Sequence, residues 1–165
     1  MSTTREIITA PAVPGITLEI DVPESWDRHT GQETAAFVAA MPPAEAGPFA
    51  DTLVVGIERL PEGLPAHLEA VRASSLVQLH AAVPDLHLVD DRPVVLDGRE
   101  GHLRALVQST EQEISVIVRQ VFALHGDVLV TIALTSLPFR DREASQLADR
   151  IFSTARITAQ NGADR

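Results

Sequence analysis

Two arginines, a histidine and a glutamate on adjacent predicted strands come nearest to a site in this chain. Asp97-Gly98 is a two-residue hairpin signal that pairs Leu96 with Arg99. A second turn over Ser109–Gln112 pairs Val107 with Ile114, Ala105 with Val116 and Leu103 with Val118. These registers set His102 opposite Arg119, with Glu100 and Arg104 as same-face neighbours and Ser115 beyond. Two guanidinium groups and an imidazole beside one glutamate suit a ligand carboxylate or phosphate held by bidentate hydrogen bonds. The competing expectation is structural: Glu100 and an acid from a covering element neutralise the arginines, whose stems pack on the sheet.

The rest of the inventory assembles no chemistry. His29, His67, His80, His87, His102 and His125 show no HExxH or HxH spacing, and His87, expected opposite Gln108, is too far along the sheet from His102 to share a metal. No metal and no cofactor is expected. Ser25 and Ser153 lack a nucleophile elbow, tyrosine is absent, and no glycine-rich phosphate loop occurs, so no catalytic residue is assigned. Aromatic residues are scarce, and Trp26 and Phe49 both flank turns. Each is either an anchor for a partner or a plug closing one end of the core.

Composition narrows the field. The 165 residues suit one domain with a full core, and no apolar run is long enough to span a membrane as a helix. There is no cysteine, hence no disulfide, thiolate metal site or lipid attached through an N-terminal cysteine. Thirteen basic residues, all arginine, stand against 23 acidic ones for a net charge of −10, which repels nucleic acid and anionic lipid. The lack of lysine removes Schiff-base chemistry. Met1–Gly15 carries no apolar core of a signal peptide, and a cytoplasmic location is expected.

The elements that must position these residues follow from periodicity. Alternation over Ile16–Ile20 predicts a strand closed by Pro23, and runs at Ala35–Met41 and Thr52–Leu60 predict two more. A helix is expected from about Pro65 to Pro84, with Leu64, Leu68, Val71, Ser75, Leu79 and Ala82 on one stripe. Leu86–Ser136 reads as a four-strand meander whose last turn is Gly126-Asp127. Ile114–His125 and Val128–Ser136 are apolar on both faces, which places them mid-sheet with cover on both sides. A final helix enters at Pro138, with Asp141 and Glu143 in its first turn and Ala144, Leu147, Ala148, Ile151, Phe152 and Ala155 on its inner stripe. The fold class is α+β, a three-layer sandwich with a mainly antiparallel sheet of about seven strands. Residues 16–157 make one domain, 1–15 an N-terminal extension and 158–165 a frayed tail.

The order of elements and several short segments resemble a known family. They are Val22-Pro23-Glu24-Ser25-Trp26, Phe49 to Val55, Leu60-Pro61-Glu62-Gly63, Leu96 to Gly101, Arg119-Gln120-Val121-Phe122 and Phe152 to Ile157. The chain resembles the PsbP/Mog-like α/β/α sandwich family, in particular its small bacterial lipoproteins of the LpqN and DcrB kind, but without their acylated cysteine. The resemblance implies a fold and adaptor-like members that bind another protein; it carries no catalytic residues across. The leading expectation is therefore a non-catalytic module that binds a protein, its own copies included. A receptor for a small anionic or amphipathic ligand between sheet and helix comes second, and an enzyme third.

Overall fold

The computed structural model describes residues 1–160 apart from 33 and 84. The strands are β1 (Thr3–Ala10), β2 (Val13–Pro23), β3 (Asp27–Gln32), β4 (Ala35–Ala40), β5 (Thr52–Arg59), β6 (His87–Leu96), β7 (Arg99–Ser109), β8 (Ser115–His125), β9 (Val128–Ser136) and β10 (Arg156–Ala159). The helices are the one-turn α1 (Pro43–Ala46), α2 (Leu68–Ala82) and α3 (Asp141–Thr154). A seven-stranded antiparallel sheet runs in the order β3-β4-β5-β9-β8-β7-β6, and a second sheet in the order β1-β2-β10.

Alternation decides which face of the large sheet is the core. Along β9, Val128, Val130, Ile132, Leu134 and Ser136 are buried, and the residues between them are half-buried. Leu53, Val55 and Ile57 of β5 share the buried face, and α3 and the small sheet close over it. On α3, Ala144, Leu147, Ala148, Ile151 and Phe152 are buried, the stripe read from the sequence. Helix α2 crosses the other face and packs on β7. The three-layer α/β/α arrangement around a seven-stranded antiparallel sheet is the architecture expected.

The meander is present with its first and last turns as read, His125 in register with Val128 and Leu96 with Arg99. Asp97 and Gly98 carry φ of 49° and 71°, the two positive values that a type I′ turn needs.

Four expectations need correction. Residues 1–15 are not an extension, because β1 and the start of β2 form a hairpin that joins β10 in the second sheet. At the other end Thr158 and Ala159 belong to β10 rather than to a frayed tail, and residues 161–165 lie outside the described residues, as does Pro84. The β7–β8 turn is wider than expected: Ser109 pairs with Ser115, and residues 110–114 form the loop. Thr110 closes it, donating its N–H to the Ile114 carbonyl and accepting the Ile114 N–H on its hydroxyl, and Glu113 takes φ of 60°. His87 pairs with Val107, not Gln108, because the register shifts between Leu88 and Asp90.

Candidate functional site

The wider turn dissolves the expected cluster. His102 is in register with Phe122, Arg104 with Gln120 and Ala105 with Arg119. The slip from the expected pairing is three residues, an odd number, so Arg119 faces away from His102 and Arg104. On that other face Arg119 pairs with Asp141 at the start of α3, 2.5 Å away. Glu100 shares a strand face with His102 and Arg104 but is exposed, and no ion pair involves it among the described residues.

Arg104 is wholly buried, and its neutralising acid is Asp91, which sequence reasoning did not single out. The β6–β7 register sets Asp91 directly opposite Arg104, a pairing that the Asp97-Gly98 hairpin already implied. Asp91 binds three groups: Arg72 of α2 at 2.5 Å, His102 through Nε2, and Arg104 Nε at 3.7 Å, which is an ion pair without a hydrogen bond. Arg104 also donates to the Ser75 hydroxyl at 3.1 Å and the Arg72 carbonyl at 3.2 Å, and its guanidinium lies 5.4 Å from the centre of the Phe122 ring. Burial works to raise the Asp91 pKa, but the hydrogen bonds from Arg72 and His102 outweigh it and hold the carboxyl below the ordinary aspartate range. Burial pushes the Arg104 pKa down, and Asp91 opposes it.

This network is a clasp. It fastens α2 to the sheet through polar groups where apolar cover is thin, since Val71 is the buried hydrophobic residue of that helix. An anion from solution cannot reach Arg104 while α2 is seated. Asp91 of β6 and Asp141 of α3, rather than Glu100, pair with the two arginines, so the expected cluster is not assembled.

Trp26 is 5% exposed and part of the main core. Phe49 is half-buried in the β4–β5 connection, and its carbonyl accepts a hydrogen bond from Arg140. Among the described residues no group of three or more histidines and acids is placed to hold a metal ion, and no helix is long and apolar enough to cross a membrane.

What sequence reasoning missed is a surface. On the α2 side of the sheet, beyond the reach of α2, β5, β9 and β8 present Val54, Gly56, Thr131, Ala133, Val118 and Gln120, all half-buried. None is ionisable, on a protein of net charge −10. Part of the signal was available: on this face Thr52, Gly56, Thr131, Ala133 and Thr135 are small or hydroxyl residues, set against Leu53, Val55, Ile132 and Leu134 on the covered face.

No family model and no curated protein sequence matches the chain. Solved structures do match it in three dimensions. LpqN, involved in cell envelope biogenesis of Mycobacterium tuberculosis, superposes with a TM-score of 0.67 at 15% identity over 96% of this chain and 92% of its own. Cyanobacterial PsbP (CyanoP) from Synechocystis sp. PCC 6803 gives 0.65 at 13% identity over 85% and 86%. The Ran-binding protein Mog1p of Saccharomyces cerevisiae gives 0.59 at 12% identity over 94% and 96%. At such identities the likeness concerns architecture, and on that ground this chain has the PsbP/Mog-like fold.

Proposed function

We propose that the chain is a non-catalytic protein-binding module and that its contact surface is the open half-face of the large sheet. The observation that carries this is the uncharged strip of Val54, Gly56, Thr131 and Ala133 beside α2. Soluble proteins seldom leave a contiguous uncharged strip of sheet without a layer over it unless something docks there. A neighbour in fold, Mog1p, is a Ran-binding protein, which is consistent with a scaffold used for contacts between proteins.

The sheet edge is a weaker candidate. β6 is an edge strand with Val89 and Val95 exposed, but Pro93 sits in its middle and the register breaks near Val89. The two-residue hairpin makes Leu96–Arg99 a hydrogen-bonded pair, so Val94 and Arg92 bond inward and Pro93 faces out. The donor that an incoming strand would need is missing there. A cytoplasmic setting is part of the proposal.

The test is site-specific photocrosslinking in the native host. A photoreactive residue at Thr131 is expected to yield an adduct of defined mass, and the same residue at exposed Arg142 on α3 is expected to yield none. Equal labelling from both positions, or none from Thr131, would reject this surface.

A further inference from the structure

The occupant of the open half-face can be named by its chemistry, an inference that rests on the reading above. We propose that the strip takes one amphipathic α-helix of a partner protein, seated beside α2, with small or apolar residues inward and basic residues at its flanks.

Dimensions come first. Neighbouring strands lie about 4.8 Å apart, so the floor from β4 to β8 is roughly 14 Å wide. One helix, about 10 Å in diameter, fills that width. The eight residues of β5 span about 26 Å, the length of roughly 17 helical residues. An extended segment would leave its own backbone groups unpaired on a sheet face, whereas a helix satisfies its own.

The floor suits the ridge of a helix. Gly56 presents no side chain, and Thr131 and Ala133 beside it on β9 are small, so a helix can approach closely. At one end a 110 Å³ crevice separates α2 from β9, walled by Leu60, Leu64, Val71 and Leu129 and by the polar Glu58, Arg59, Ser75 and Gln78. It has room for one side chain with an aliphatic stem at the edge of the incoming helix.

Charge selects the partner's flanks and argues against a second copy. Glu58 on β5 and Asp27 on β3 stand exposed at opposite ends of the strip, with no ion pair among the described residues. A basic flank meets them with complementary charge, and two copies face to face would set acid against acid on proteins of −10 each.

The experiment uses the whole chain, ¹⁵N-labelled, titrated with a synthetic 17-residue helical peptide. One face of the peptide carries Leu and Ala at i, i+4, i+7 and i+11; its flanks carry Arg; a scrambled peptide of the same composition is the control. Amide shifts are expected on β4, β5 and β9 and on the Ser74–Gln78 flank of α2, with at least tenfold weaker binding of the scramble. Gly56→Val and Ala133→Arg are expected to weaken binding tenfold or more with the melting temperature unchanged. The Gly56 site has space, since a Cβ there would lie 3.8 Å from Thr131 Cβ. Shifts elsewhere, no shifts, equal binding of the scramble, indifference to both variants, or self-association that protects the strip in sedimentation and exchange would each overturn the helix proposal. An adduct from Thr131 without peptide binding would reject the helix and leave the binding module standing; failure of both would reject both.

Discussion

Arg104 and Arg119 stand one position out of register on hydrogen-bonded strands and therefore project from opposite faces of the sheet. Each has its own acid, Asp91 for Arg104 and Asp141 for Arg119. Side chains separated by the sheet and sharing no partner act independently, so their energies should add. In a double-mutant cycle, Arg104→Gln and Arg119→Gln are expected to combine within about 0.5 kcal/mol. The larger single effect belongs to Arg104, which is wholly buried and whose loss removes one of the three partners of Asp91 together with its hydrogen bonds to Ser75 and the Arg72 carbonyl. Urea denaturation of the four proteins measures the cycle, and a coupling well above that figure would mean that the two arginines share a site.

Asp91 holds together groups from three elements. Asp91→Asn keeps the shape and removes the charge that Arg72, His102 and Arg104 share. Removing one partner of a buried charge network leaves the others uncompensated, so a loss of about 2–3 kcal/mol at pH 7 is expected. The sign of the pH dependence follows from the depressed pKa of Asp91. Its stabilisation is complete above the ordinary carboxylate range and is lost as pH falls through the lower folded-state value. Wild type and Asp91→Asn should therefore converge in stability as pH falls from the ordinary carboxylate range to below the depressed folded-state value of Asp91. A gap that stays constant across that range would show that the aspartate contributes shape rather than charge.

Two glycines separate close approach from open space. A Cβ on Gly101 would sit 3.1 Å from the Phe122 carbonyl oxygen and 3.3 Å from Leu96 Cβ, and the first of these is backbone. Gly101→Ala is expected to cost about 1–2 kcal/mol through displaced packing. Gly56→Ala meets ordinary contact and also narrows the unfolded ensemble, so it is expected to be neutral or to stabilise by up to about 1 kcal/mol. Thermal melts of the two variants should move apart; equal effects would show that the strip at Gly56 is as tightly filled as the β6–β8 interior.

The fold was legible where local chemistry admitted one answer. Asp97-Gly98 allowed a single turn type, and the inner stripe of α3 allowed a single orientation, so β6–β7 pairing and the buried face of α3 followed from residues alone. The β7–β8 register was not legible, because β8 is apolar on both faces. Val116 and Phe122 point one way, Ile117 and Val121 the other, so a slip of three residues exchanges one apolar set for another. Hydrogen bonds around Thr110 settle it. The helix stripe of Leu64, Leu68, Val71 and Leu79 promised more burial than α2 delivers, since the clasp at Asp91 does part of the work of apolar contact. β1 was missed because its outward residues, Ile7 among them, remain exposed and blur the alternation. The open strip was missed for a related reason: strands apolar on both faces were taken to be covered on both, and cover over the α2 side reaches only part of the sheet.

The same hairpin turn that fixes β6 against β7 also fastens β10. Asp97 accepts the backbone N–H of Ile157 at 2.7 Å, and Arg99 from the same turn donates to the Ile157 carbonyl at 3.3 Å. Through this contact the tip of one sheet holds a four-residue strand of the other, which pairs with β2 alone. Asp97→Gly preserves the positive φ that the turn demands, so the hairpin should survive, whereas the acceptor for Ile157 disappears. A loss of about 1 kcal/mol is expected, the ordinary net worth of a partly buried hydrogen bond offset by the gain in turn geometry. Hydrogen exchange separates the two roles. The Ile157 amide should exchange faster by tenfold or more in the variant, with the β6 and β7 ladder amides unchanged. Ladder amides that accelerate in step with Ile157 would show that Asp97 is needed for the hairpin itself, and that the link to β10 is incidental.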